Sequence, residues 1–518
     1  MPSSFDGLVD SGACSKRRGD APHSKAFGKM IRAPSLLRVA LWSAARPRAA
    51  FIVRPLELVF YLCIVVSTAH AVDTPATWDG ATANWSDPTH WNTNPAFPNN
   101  AGPTTYDATI AAGAVTVNQP ITINQFTFSG GSLAGASPLA LNEGIAWSGG
   151  ATVAMSGGGI TLGAGTASTV AGTANFNSGT IFGANGATFT IPLGATFNLR
   201  SDANFFVPAA GVSYTISNAG MFVARGTSGA GFSTIDATFN NTGTLRVEKG
   251  TALQHTLSLA GGGMLSGSVV LADAETILEL GNTTLLNTTI SGAGLPVIGG
   301  RAVIVGNVQA QALLQAGGEL RVSAAATLQA PLGLTINDGL VTGYGTIAAD
   351  LGNQGNISPG LSSGPVTGTL MLTGTGTLGV DSKLTIEVGG TANTAFDRLL
   401  ATGALLLDGE LELRLANGFT PGATDTFTIF TAAGGVSGVF ENALTSGFRL
   451  STADGLGSFS VNYMAGAVVL ADFAVPEPSA AALAIIGGAL ASLRRRRARL
   501  VAADVRRLSF PRIAGDSE

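Results

Sequence analysis

The chain has 518 residues, a net charge of −4, 70 glycines and only 12% charged residues. Glycine is about twice its usual share and charge about half, which excludes a highly charged disordered chain and a Lys/Glu-rich coiled coil. The charge is uneven, +6 over residues 1–71, −15 over 72–478 and +5 over 479–518, and so acidic a middle argues against nucleic-acid binding, which needs clustered Lys and Arg.

In chain order, residues 1–29 are charged and Pro-containing, and Met30 is a candidate true start. Arg46, Arg48 and Arg54 precede an apolar run over residues 56–66, and Ala69-His70-Ala71 follows. Basic, apolar and small-x-small parts in that order predict a secretory signal helix, with residues 1–71 as leader and Ala69 and Ala71 at the signal-peptidase cut. Cys14 and Cys63 are the only cysteines and leave with the leader. The exported part then has no disulfide and no thiolate metal site.

Residues 72–104 hold Trp78, Trp85 and Trp91 among Gly, Pro and Asn. They read as an aromatic cap over the first open sheet edge, because an uncovered edge invites aggregation. The alternative is a carbohydrate-stacking platform, since aromatic faces also stack on flat polar ligands.

Over residues 105–394 short apolar alternations recur, such as Val115-Val117, Phe126-Phe128, Phe189-Ile191, Leu257-Leu259 and Leu320-Val322. Each puts two apolar side chains on one face of a short strand. Gly, Asn, Ser or Thr turns follow about every 8–12 residues, the spacing of a sandwich, barrel or solenoid. The unbroken run and the absence of helical segments favour an all-β, elongated parallel β-solenoid. At about 20 residues per coil this gives roughly 14 coils, a rod on the order of 70 Å. Residues 395–474, with longer alternations such as Leu411-Leu413-Leu415, are expected to close the far end.

Three patterns match catalytic or ligand motifs only on paper. Gly360-Leu361-Ser362-Ser363-Gly364 has the nucleophile spacing, but no helix follows it and His90 and His255 are the only histidines after the leader. Gly374-Thr375-Gly376-Thr377-Leu378-Gly379 lacks the helix that a dinucleotide site requires, because Lys383 to Val388 alternates as a strand. Glu410 and Glu412 share a strand face, where like acids are usually just solvated. Lys249 and Lys383 are the only lysines of the middle, and neither is expected in an acidic cluster. No catalytic residue, metal site or cofactor is assigned.

Gly343-Tyr344-Gly345-Thr346-Ile347, Asn353-Gln354-Gly355-Asn356-Ile357-Ser358-Pro359-Gly360 and Phe396-Asp397-Arg398-Leu399 resemble the coils of autotransporter passengers and their associated strand repeats. The resemblance implies a right-handed β-helix. It does not extend to a translocator barrel, which the chain's end lacks.

At that end, Val475-Pro476-Glu477-Pro478 precedes an apolar run over residues 479–493 and then Arg494-Arg495-Arg496-Arg497. The run is short of the roughly 20 residues that span a bilayer comfortably, and the arginines would hold their side cytoplasmic. This order resembles the PEP-CTERM sorting signal of exported Gram-negative proteins. The likeness implies processing by an exosortase-type enzyme at Pro-Glu-Pro, a short transmembrane helix within 475–497 and a basic cytoplasmic tail over 498–518. Members usually stop soon after the arginines, whereas this chain continues.

Together these readings imply an exported structural or adhesive protein. It is membrane-anchored before processing and then at the cell surface or in the extracellular matrix, meeting matrix polysaccharide or neighbouring cells. The competing readings are a β-helix lyase or glycosidase acting on matrix polysaccharide, and a carbohydrate-binding surface protein.

Overall fold

Strands that alternate apolar and polar residues must bury one face, and here three such faces wind round a common interior. The computed structural model describes residues 73–476, except 156–158, 201, 203, 210, 211 and 362–366, together with residues 487–497. Residues 73–476 form an all-β parallel solenoid of about 12 turns. The leader with Ala69 and Ala71, both cysteines, Ser362, Glu477, Pro478 and the basic tail lie outside the described residues.

Three parallel ladders run along the solenoid. Face 1 starts at Thr74–Thr77, which pairs with Tyr106–Ile110. Face 2 starts at Thr82–Asn84, which pairs with Ala114–Val117. Face 3 takes over where Ile121 pairs with Leu139, which then pairs with Ile160. The register offset per coil runs from 16 residues, Leu340 to Asn356, to 32, Thr77 to Thr109. The expected 20 lies inside this range. Corners absorb insertions because they face solvent, while strand lengths are held by pairing.

Every alternating pair named from the sequence points inward: Val115, Val117, Phe126, Phe128, Phe189, Ile191, Leu257, Leu259, Leu320 and Val322 are all buried. The interior changes character along its length. From Trp85 an aromatic spine continues through Phe126, Phe128, Trp147, Phe197 and Phe222 to Phe239, with ring centroids 5.2–6.0 Å apart. Beyond it aliphatic side chains stack in register, as Leu265, Leu285, Ile304 and Val322 do on face 1. Each buried side chain contributes about 1.5–3 kcal/mol.

Coils approach too closely at the corners for most side chains. A Cβ on Gly243 would lie 2.2 Å from the carbonyl oxygen of Gly220. At Gly343 the backbone also has φ +122°, a conformation that glycine alone adopts freely.

Both ends are sealed. At the start, Asn92 folds back on the open edge of face 1, its N–H donating to Thr77 O at 3.1 Å and its Oδ1 accepting from Thr77 N at 2.7 Å. At the far end the parallel rule breaks. Phe427–Ala432 pairs antiparallel with Ala467–Ala474, which pairs antiparallel with Ser458–Met464. The last strand of face 1, Glu410–Leu415, is covered by Asn442, which bonds Leu411 N and O, and by Ala453 N, which donates to Leu413 O at 2.8 Å.

Residues 487–497 form a helix of 11 residues with its side chains exposed. Among the described residues no helix is long and apolar enough to cross a membrane.

Candidate functional site

The tryptophans come first, because sequence offered two roles for them. Trp78, Trp85 and Trp91 are 4%, 0% and 2% exposed. Trp85 Nε1 donates to Pro98 O at 2.8 Å, and Trp91 Nε1 donates to Trp85 O at 2.8 Å. Trp91 lies edge-on to Trp78 at 5.0 Å. Packing fits the cap reading rather than the alternative of a carbohydrate platform. The rings are inside, their N–H groups are spent on the backbone, and no face remains for a ligand.

Val475 and Pro476 are exposed at the end of the described solenoid, and Arg494, Arg495, Arg496 and Arg497 are exposed on the 487–497 helix. The Gly374–Gly379 pattern falls on the strand Gly376–Leu378 with Lys383–Val388 next, so no helix N-terminus is there to meet a phosphate.

Face 1 carries two chemistries in its outward columns. In the first half Thr109, Thr127, Ala146, Thr169, Thr190 and Ser217 follow one another in register, starting from Thr77. In the second half a neighbouring outward column, two residues earlier along each strand, carries charge. Arg301 pairs in register with Glu319, and its Nε lies 3.1 Å from Glu319 Oε2. Further along, Lys383 sits opposite Glu410 and Thr385 opposite Glu412.

There the side chains converge. Lys383 Nζ lies 3.2 Å from Glu412 Oε2 and 3.6 Å from Glu410 Oε2. Arg414 closes on the other oxygen of Glu412. The expectation that neither lysine sits in an acidic cluster is thus overturned for Lys383, while Lys249 Nζ pairs with Glu275 alone at 3.4 Å. The partners are one coil apart, which an irregular coil length hides from sequence. Burial works against the charged form of Glu412, but hydrogen bonds from Arg414 and Lys383 outweigh it and hold its pKa below the ordinary value.

Glu387, on the strand of Lys383 and in register with Arg414, behaves oppositely. Burial raises its pKa, and Arg414 offsets only part of this. Its backbone is fixed by Asp397, whose carboxyl accepts from Glu387 N at 2.9 Å and from Gly368 N at 2.7 Å. Asp397 is fully buried, and burial pushes its pKa to about 8. Sequence reasoning noticed Asp397 only as part of a repeat. Glu387, Glu412, Arg414 and Lys383 border a groove of about 270 Å³ that also takes in Asn356, Ser358 and Leu361.

A second ionic group lies on face 2, where Glu248 bonds Arg225 and Arg246. Near the first coil, carboxyl oxygens of Asp73, Asp107 and Glu143 come within 4.8 Å of one another and offer a cation three oxygen ligands. Asp73 already accepts from Asn124 Nδ2 at 2.7 Å.

No protein-family model matches this chain, and no curated protein does. The fold and the groove are what its residues establish.

Proposed function

We propose that the chain is an exported structural or adhesive protein of the cell surface or extracellular matrix, sorted through Val475-Pro476-Glu477-Pro478. The observation that carries this reading is the sealed solenoid with long register columns of Thr, Ser and Asn facing solvent. A repetitive polar surface makes many weak, equivalent contacts along its length, and their sum gives avidity without any single tight site. The right-handed winding follows from the autotransporter likeness and from the general hand of parallel crossovers. The 487–497 helix with its arginines fits the inner end of a short membrane anchor that an exosortase-type enzyme would remove.

The test is intact mass of the protein from membrane and culture-medium fractions. A product running from Val72 to near Pro478 supports leader cleavage and sorting. A membrane product that keeps residues 479–518 overturns the sorting step.

One observation favours a second reading, a glycosidase. Glu387 and Glu412 lie on adjacent strands of one groove with pKa values displaced in opposite directions. Two carboxylates bordering one groove are the groups that glycoside hydrolysis uses.

A further inference from the structure

We propose that the groove on face 1 bordered by Glu387, Glu412, Arg414 and Asn356 is a binding site for an amino sugar, a hexosamine unit whose nitrogen is a free ammonium. The inference rests on the surface-protein reading above and names the class of glycan that surface would hold.

The charges in the groove decide the class. Lys383 and Arg414 are its cations, and both are engaged by Glu412, with Glu410 also against Lys383. Two acids and two bases line the groove, and Glu410 stands against Lys383 beside it, so neither cation is left over for an anionic ligand. A uronate would bring a further carboxylate against Glu387 and Glu412, and its cationic partners are already committed. Among the described residues no hydrogen bond or ion pair reaches the carboxyl of Glu387. A half-buried acid whose charge Arg414 offsets only in part is costly to ionise. A ligand ammonium placed against it supplies the missing charge and makes charge-assisted hydrogen bonds.

The rest of the groove suits a sugar ring. Asn356, Ser358 and Thr385 stand in adjacent register columns and offer amide and hydroxyl groups to ring hydroxyls. Leu361 gives the rim an apolar surface for the ring's C–H face. Asp397 acts as a positioning residue by holding Glu387 N and Gly368 N. The burial that raises the Glu387 pKa is the same burial that would strengthen an ion pair formed there.

The experiment is calorimetric titration of the full chain in detergent with three oligosaccharides of equal length: glucosamine, N-acetylglucosamine and galacturonate. Glu387→Gln keeps the shape and removes the charge. Glu275→Gln, outside the groove, controls for total charge. Binding of the glucosamine oligomer should weaken about 10- to 100-fold in Glu387→Gln, the size of one charged hydrogen bond, and stay unchanged in Glu275→Gln. Equal affinity for glucosamine and N-acetylglucosamine would overturn the proposal. So would preference for galacturonate, indifference to Glu387→Gln, or no binding of any oligomer. New reducing ends from the glucosamine oligomer, lost in Glu387→Gln, would support the ligand class while overturning the non-enzymatic reading. The mass of the termini tests sorting independently of all these outcomes.

Discussion

Replacing Trp85 by alanine asks whether the N-terminal aromatics seal the solenoid. The ring is fully buried, packs on Trp91 at 4.9 Å and Phe126 at 5.8 Å, and donates to Pro98 O. Removing a buried aromatic costs about 3–5 kcal/mol, and orphaning the Pro98 carbonyl costs about 1–3 kcal/mol more where water does not reach it. Coils touch only their neighbours, so the loss should stay at one end. At 1.4 kcal/mol per tenfold, 4 kcal/mol raises local opening about a thousandfold. Hydrogen exchange read by mass spectrometry tests this. Peptides over residues 74–84 and 106–117 should exchange far faster, while peptides over 340–359 keep wild-type protection. Unchanged protection at 74–117 would refute the cap. An equal loss at both ends would refute the locality that nearest-neighbour coils impose.

Other substitutions probe the interior and the groove. Asp397 has a folded pKa of about 8 against an unfolded value of about 3.9, so the folded state keeps a proton that the unfolded state has lost between those values. Its stabilising contribution is complete below about pH 4, falls by about 1.4 kcal/mol per pH unit as pH rises, and is gone above about pH 8. Asp397→Asn should abolish that slope, read as the mutant-to-wild-type ratio of exchange at 383–415 from pH 5 to 9. A parallel slope in both proteins would count against the assignment. Asn241 is fully buried and accepts from Asn218 Nδ2 at 2.6 Å. Asn241→Leu should cost about 1–3 kcal/mol through the orphaned amide, seen as faster exchange over 214–248, and unchanged exchange there would contradict it. Gly343→Ala forces a Cβ to within 1.9 Å of Val322 O at φ +122°. It should loosen 319–359 by more than about 1 kcal/mol, and a protein as protected as wild type would show that the corner yields.

The groove was only partly legible in the sequence. Glu410 and Glu412 were visible as a same-face pair because strand period is two, and the structure keeps them together. Their attachment to Lys383 was not visible, because the partner lies 27 and 29 positions away and coil length varies. Glu387 gave no signal, and Asp397 showed only as part of a repeat. What distinguishes them is burial and a turn that folds residues 389–397 back onto the strand, with Asp397 N donating to Glu387 O at 2.8 Å.

What sequence alone determined is the local grammar. Alternating apolar pairs with Gly, Asn, Ser and Thr between them sufficed for short strands, inward faces and an all-β solenoid, since side-chain direction in a strand depends only on parity. The tertiary structure alone decided which strands stack. That choice turned three tryptophans inward, brought charged side chains together on the later coils of face 1, and set Glu387 beside a Glu412 held by Lys383 and Arg414. The physical reason is that coil-to-coil register is a long-range quantity. It is set by how corners and interior side chains fit one turn onto the next, and irregular insertions at the corners erase it from the linear spacing.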